Sequence, residues 1–313
     1  MSRSYAIIGT GALGGYYGAR LHHAGCDVHF LLHSDYEHVR RHGLKVESPD
    51  GDFSISKPNA YRDVRDMPRC DVVCVCLKTM QNHLLPELLP PVVKGDGVVL
   101  VMQNGLGIEE EVASIVGAER VMGCLCFLCS NKIGPGHIRH LDYGHIAPGE
   151  FARRGVSERM KAIAGDFERA GIHVELSQDL REARWQKLVW NIPYNGLSVV
   201  LNANTDMLMA NPHSRQLVEQ IMREIVADAQ ACGVALGDDI VPTMLAYTEK
   251  MTPYRTSMKI DFDERRPMEV ESIFGNPLRA AQQAGAHSTL LELLYRQLKF
   301  LDEKNRQGAK NAK

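Results

Sequence analysis

An α/β domain with a mostly parallel sheet, followed by an all-α C-terminal domain, is the architecture predicted for this 313-residue chain. Three observations predict it. Residues 1 to about 178 alternate short apolar runs with polar helical segments, the pattern of parallel strands joined by helical crossovers. The first apolar run opens into a glycine-rich turn and then a helix. Past residue 178 the apolar positions recur at helical spacing, with few β-branched clusters. The domains are therefore placed at 1–178 and 179–313, as the length prior for two domains allows.

The first strand is Tyr5-Ala6-Ile7-Ile8. It runs into Gly9-Thr10-Gly11-Ala12-Leu13-Gly14 and a helix beginning Gly15-Tyr16-Tyr17-Gly18. Strand, G-x-G-x-x-G turn and helix in that order form the dinucleotide-binding fingerprint of a Rossmann-type domain. Gly9 permits the tight turn, Gly11 lets the backbone approach a pyrophosphate, and Gly14 lets the helix pack close to the strand. The N–H groups and positive end of the helix then bind the phosphates, with Ala12 and Leu13 in the same turn. The plainer alternative is an ordinary βαβ turn. Gly25 stops the helix before a second strand over residues 26–32. A carboxylate after that strand would hold the adenine ribose of NAD. The chain has His33-Ser34 there, with Asp35 one step on and Arg40 and Arg41 beyond, which favours NADP (NADPH).

Further strands are expected at 71–77, 98–102 and 120–128. Lys78 and Gln81 follow the first of these and Gln103-Asn104-Gly105 the second, at the carboxyl edge where ligands of such sheets bind. Singly, Asn-Gly reads as a turn and Lys78 as a surface cation. Gly134-Pro135-Gly136 opens His137-Ile138-Arg139-His140-Leu141, and Asp142-Tyr143-Gly144 turns into His145-Ile146-Ala147, an antiparallel hairpin closing the sheet. A last short strand is expected at 172–176.

The second domain reads as helices over 213–232, 238–250 and 270–304, with a frayed tail from Lys304 and a substrate cleft between the domains. Leu217, Ile221, Ile225 and Ala229 form a core-facing stripe, as do Leu290, Leu291, Leu294 and Leu298. In Trp185-Gln186-Lys187-Leu188-Val189-Trp190-Asn191-Ile192-Pro193-Tyr194-Asn195, the polar Lys187, Asn191 and Asn195 fall on one helical face, each step drifting by roughly 40°. Leu188, Val189 and Ile192 make the rest apolar, so the stripe belongs to a helix mostly buried. Buried polar groups need partners, and a substrate is one. A solvated face or capping network is the alternative, and Pro193 is expected to kink the segment. Ser257 and Glu269 sit in a charged stretch expected to be helical.

Composition narrows the classes. A net charge of −2 and 44% hydrophobic residues describe an ordinary globular protein with no basic surface for nucleic acid. No apolar run reaches the ~18 residues of a membrane span, and the N-terminus lacks a signal-peptide plan, so a cytoplasmic protein is expected. Cys124, Cys126 and Cys129 have a metal-like spacing but read as small buried hydrophobes, and no metal site is expected.

Together these pieces resemble ketopantoate reductase (2-dehydropantoate 2-reductase) along nearly the whole chain. The resemblance rests on the Gly9–Gly14 turn, Leu77-Lys78-Thr79-Met80-Gln81, Gln103-Asn104-Gly105 and Gly136-His137-Ile138-Arg139-His140 leading to Tyr143-Gly144. It continues through Trp185, Lys187-Leu188, Asn191 and Asn195, then Thr256-Ser257-Met258 with Asp261, and Glu269-Val270-Glu271, Ile273 and Gly275. It implies NADPH-dependent reduction of 2-ketopantoate to pantoate, on the route to pantothenate and coenzyme A. It implies Lys187 as general acid and Glu269 as the group orienting substrate hydroxyl and lysine. Asn104, Asn191, Asn195 and Ser257 are implied as substrate ligands, Ser257 near the carboxylate. Gly9, Gly11, Ala12, Leu13, Gly14, His33, Lys78 and Asn104 are implied on the cofactor side. The chain departs from the family pattern at two places: His33 stands where arginine is common, and Thr205 stands where many members carry a further asparagine.

Two other readings stay open on the sequence. One is reduction of a different 2-oxo or 3-oxo acid, with His137, His140 or His145 as proton donor. The other is a nicotinamide-binding sensor without chemistry. Partners are a small 2-oxo acid, with no nucleic acid and no membrane; a homodimer is left open.

Overall fold

The computed structural model describes residues 3–311 and divides into two compact units, Met1–Asn104 with Ile108–Leu180, and Gly105–Gly107 with Arg181–Lys313. In the first unit, β1 (Ser4–Ile8), α1 (Ala12–His23), β2 (Asp27–Leu31), α2 (Tyr36–His42), β3 (Leu44–Glu47), β4 (Phe53–Ile55), β5 (Asn59–Tyr61) and β6 (Cys70–Val75) come first. Then follow α3 (Leu85–Val92), β7 (Val93–Val101), α4 (Ile108–Val116), β8 (Val121–Gly134), β9 (His137–Glu150) and α5 (Glu158–Arg169). The strands form one nine-stranded sheet in the order β4-β3-β9-β8-β7-β6-β1-β2-β5. It is parallel except at β8–β9 and β3–β4. The α/β class is the one the alternation of apolar runs predicts.

Every residue of β1 is buried because the sheet is covered on both faces. Tyr5 and Ile7 pack with Tyr16 and Tyr17 of α1 and Phe167 of α5, whereas Ala6 and Ile8 pack with Leu85 and Leu89 of α3 and Val112 of α4. β2 and then β5 add on one side of β1, and after β5 the chain crosses to the other side of β1 to form β6. The strand order therefore reverses at β1, and the crevice outside the carboxyl ends of β1 and β6 is where such sheets bind ligands.

The expected closing hairpin is corrected. Its two arms are one continuous strand, β9, and their partner is β8, which extends well past residue 128. Tyr143 and Gly144, read as a turn, instead form a bulge with positive φ angles of 60° and 129°. The ladder shifts register between Phe127 and Leu128 beside them. Residues 172–176 make only an isolated bridge, Val174 to Ile146, and are not a strand. The three short strands β3, β4 and β5 were not expected.

The second unit is helical: α6 (Leu180–Val200), α7 (Thr205–Ala210), α8 (Pro212–Ala231), α9 (Ile240–Glu249), α10 (Ser257–Asp263), a π-helical turn (Glu271–Gly275), α11 (Asn276–Gln283) and α12 (Thr289–Asn311). The stripes Ile221, Ile225, Ala229 and Leu291, Leu294, Leu298 lie in one core. The predicted helix over 270–304 is three pieces, closed at residue 286 by the bond from Ala286 N to Ala281 O and resumed at Thr289. It then runs past Lys304, where fraying was expected, to Asn311; the end of that tail lies outside the described residues. α6 is helical throughout despite Pro193. Among the described residues no helix is long and apolar enough to cross a membrane.

Candidate active site

In the first unit the residues expected on the cofactor side lie at the carboxyl ends of β1, β2, β6 and β7. The geometry gives each glycine of the turn a separate reason. Gly9 has a φ of 100°, and a Cβ on it would come within 2.7 Å of Leu77 N. A Cβ on Gly14 would lie 2.3 Å from Gly9 O and 2.9 Å from the Cys76 Cβ, so no side chain fits between helix and strand. Around Gly11, by contrast, a Cβ would meet nothing within 4 Å. Gly11 is also the N-cap of α1, which has no side-chain cap and no acid in its first turn. An open cradle at an uncapped helix N-terminus suits the phosphates of a dinucleotide.

The end of β2 is shaped by Asp35. Its carboxylate is buried, pairs with Lys132 at 2.7 Å, and accepts from Gly136 N at 2.9 Å and from the Ser34 hydroxyl at 3.0 Å. Burial alone would raise this carboxyl, but Lys132, Gly136 and Ser34 together hold it below its ordinary value. The acid thus ties down the turn between β8 and β9. His33 and Ser34 are left exposed after β2, with Arg40 and Arg41 exposed on α2 beside Glu37.

Lys78 is half-buried and immediately precedes the 3₁₀ turn Thr79–Leu84. Gln103, at the carboxyl edge where ligands are expected, donates from Nε2 to Leu77 O (2.8 Å) and to Asn82 Oδ1 (2.7 Å). It thereby fixes the loops after β6 and β7 to each other, with Asn104 following it. At Gly105 the chain joins the second unit, where a Cβ would meet Ser272 O at 2.4 Å. Leu106 N donates to that same carbonyl at 2.9 Å.

In the second unit α6 carries Lys187, half-buried, and Asn191 and Asn195, both buried. The structure brings Asn195 to the Ser257 segment: its Oδ1 accepts from Met258 N at 3.4 Å. Asn195 therefore has its two amide N–H donors to offer elsewhere. Glu269 is buried but not helical, which corrects the expected continuous helix. Arg265 takes a φ of 54° after α10, and Pro267, which lacks an N–H, follows it. The Glu269 carbonyl accepts from Ile273 N at 3.2 Å, opening the π-helical turn. Such turns recur at functional sites.

The histidines of β9 are engaged within the first unit. His137 pairs with Glu47 of β3 at 2.8 Å, and His145 stacks on Phe127 across the β8–β9 ladder. His140 donates from Nε2 to the Tyr143 carbonyl and meets the Ser48 hydroxyl through Nδ1, both at 2.8 Å. Burial pushes the thiols of Cys74 and Cys76 well above their ordinary range, so they pack as neutral apolar groups. Among the described residues no cluster of three or more His, Cys, Asp or Glu is arranged to hold a metal.

Two family models match the chain: Ketopantoate reductase PanE/ApbA over residues 5–153, and Ketopantoate reductase PanE/ApbA C terminal over residues 179–302. The chain is 62% identical over 310 residues to the 2-dehydropantoate 2-reductase of Nostoc sp., covering 98% of this chain and 97% of that protein. Its fold is similar to the crystal structure of 2-dehydropantoate 2-reductase from Geobacter metallireducens, with a TM-score of 0.92, 43% identity and coverage of 96% and 99%. It is likewise similar to that from Methylococcus capsulatus, with a TM-score of 0.89, 36% identity and coverage of 96% and 97%.

Proposed function

The chain belongs to the ketopantoate reductase family, and we propose that it reduces 2-ketopantoate to pantoate with NADPH. The near-full-length 62% identity to a 2-dehydropantoate 2-reductase carries this reading. A nicotinamide cofactor follows from the family, and the open cradle at Gly11 suits its phosphates. The preference for NADPH rests on Asp35. With that acid committed to Lys132 and Gly136, the end of β2 presents His33, Ser34 and nearby arginines, which tolerate a 2′-phosphate.

When bound, the cofactor supplies the hydride that the ketone carbon takes up. Lys187 is the general acid: its ammonium gives a proton to the ketone oxygen as negative charge builds there. Asn191 and Asn195 hold substrate oxygens, Asn195 through its amide N–H groups. Ser257 takes the carboxylate, and Glu269 orients the substrate hydroxyl and the lysine. Asn104 and Lys78 serve the nicotinamide end.

Initial-rate oxidation of NADPH and of NADH, with ketopantoate and a panel of other 2-oxo acids, tests the assignment. Fast turnover confined to ketopantoate and NADPH is expected. Turnover on another acid alone would overturn the substrate, and none on any acid with NADPH bound would overturn the enzyme.

A further inference from the structure

We infer that Thr205 is a positioning residue that sets the substrate-binding Ser257 in place without touching substrate; this rests on the reading of Ser257 given above. Thr205 is buried and opens α7. Its hydroxyl donates to Tyr254 O at 3.2 Å and accepts from Tyr254 N at 3.1 Å, and its own amide donates to the same carbonyl at 3.1 Å. A hydroxyl is one donor with two acceptor sites, so this one group satisfies both backbone atoms of Tyr254. Two residues on, the fully buried Thr256 donates from Oγ1 to the buried Ser198 Oγ at 3.3 Å and caps α10 by accepting from Lys259 N at 3.3 Å. Two further on, Met258 N donates to Asn195 Oδ1 at 3.4 Å.

The segment is thus pinned at 254, 256 and 258, by α7 at one end and α6 at the other two points. Ser257 sits between two pins and is itself only half-buried. Thr256 is the N-cap of α10 and Ser257 its first helical residue, so the place where Thr256 is anchored sets where the first turn presents Ser257. Ser198 and Asn195 hold the near pins. Thr205 holds the far one and sets how the segment leading to α10 enters its first turn.

Thr205→Val keeps the shape and removes the hydroxyl, and Thr205→Ser keeps the hydroxyl. The Val variant is expected to raise KM for ketopantoate about five- to tenfold, a shift of about one decade or less in ground-state binding. KM for NADPH should be unchanged, and the Ser variant should restore the parental value. In a Ser257→Ala background, Thr205→Val should add almost nothing, because coupled residues are not additive. A merely structural threonine would lower the melting temperature and leave that split and that non-additivity absent. An unchanged KM in Thr205→Val beside a raised KM in Ser257→Ala overturns the inference alone. An unchanged KM in Ser257→Ala overturns the reading of Ser257 and the inference with it.

Discussion

Lys187 stands half-buried on α6, on the helical face that carries the buried Asn191 and Asn195. As general acid it should contribute ~10²–10⁴-fold. Lys187→Ala is therefore expected to lower kcat by that range while the dissociation constant for NADPH, measured by fluorescence titration, stays near parental; retention of over a tenth of kcat would remove the role. Asp228 has a separate consequence. It is buried on α8, accepts from Ser288 Oγ at 2.8 Å, and has no partner for Oδ2 among the described residues. Burial, with Glu224 one turn away adding to it, pushes its carboxyl up to about 6 against the pull of Ser288. The folded state thus holds the proton more tightly than the unfolded chain does. The contribution of this group to stability is whole below about pH 4 and falls as pH rises toward 6, where the folded protein must ionise a buried acid. Asp228→Asn should remove that fall. Its unfolding free energy relative to the parent should improve between pH 4 and 7, on the order of 1 kcal/mol, and a constant difference across that range would refute the account.

At the scale of elements, the β1–α1 turn separates two jobs that its sequence motif runs together. Gly14 is packing: the Cβ of Gly14→Ala would sit 2.3 Å from Gly9 O, and backbone must move. That overpacking should cost about 1–3 kcal/mol, seen as a lower melting temperature without any ligand. Gly11 is space: Gly11→Ser would clash with nothing and would supply the side-chain cap α1 lacks. Its nucleotide-free melting temperature should hold while NADPH binding weakens about tenfold or more, roughly 1.4 kcal/mol. Equal effects of both changes on both measurements would mean the glycines are not divided this way. The same scale shows why some elements escaped the sequence. β9 reads as two arms because Asp142-Tyr143-Gly144 has turn composition. Only the long partner β8 makes it a bulge.

For the whole molecule, each unit carries its own apolar core, and the first unit holds the nucleotide signals. A ligand that binds only the folded chain stabilises it by about 2.7 kcal/mol at a hundred times its dissociation constant. At equal concentration NADPH should therefore raise the melting temperature more than NADH, and equal shifts would overturn the preference inferred from Asp35. By itself the sequence determined the fold class, a mostly parallel α/β domain followed by a helical one, together with the G-x-G-x-x-G turn, the polar stripe on α6 and the family. These are local patterns, since periodicity, turn chemistry and motif spacing are written in neighbouring residues. The fold decided what depends on residues far apart in the chain. Asp35 meets Lys132 and Gly136 about a hundred residues away. Gln103 joins two loops, Gly105 lies against Ser272, and Thr205 reaches Tyr254. A buried polar group takes whatever partner the packing brings within hydrogen-bonding reach, and no local pattern records which one that is.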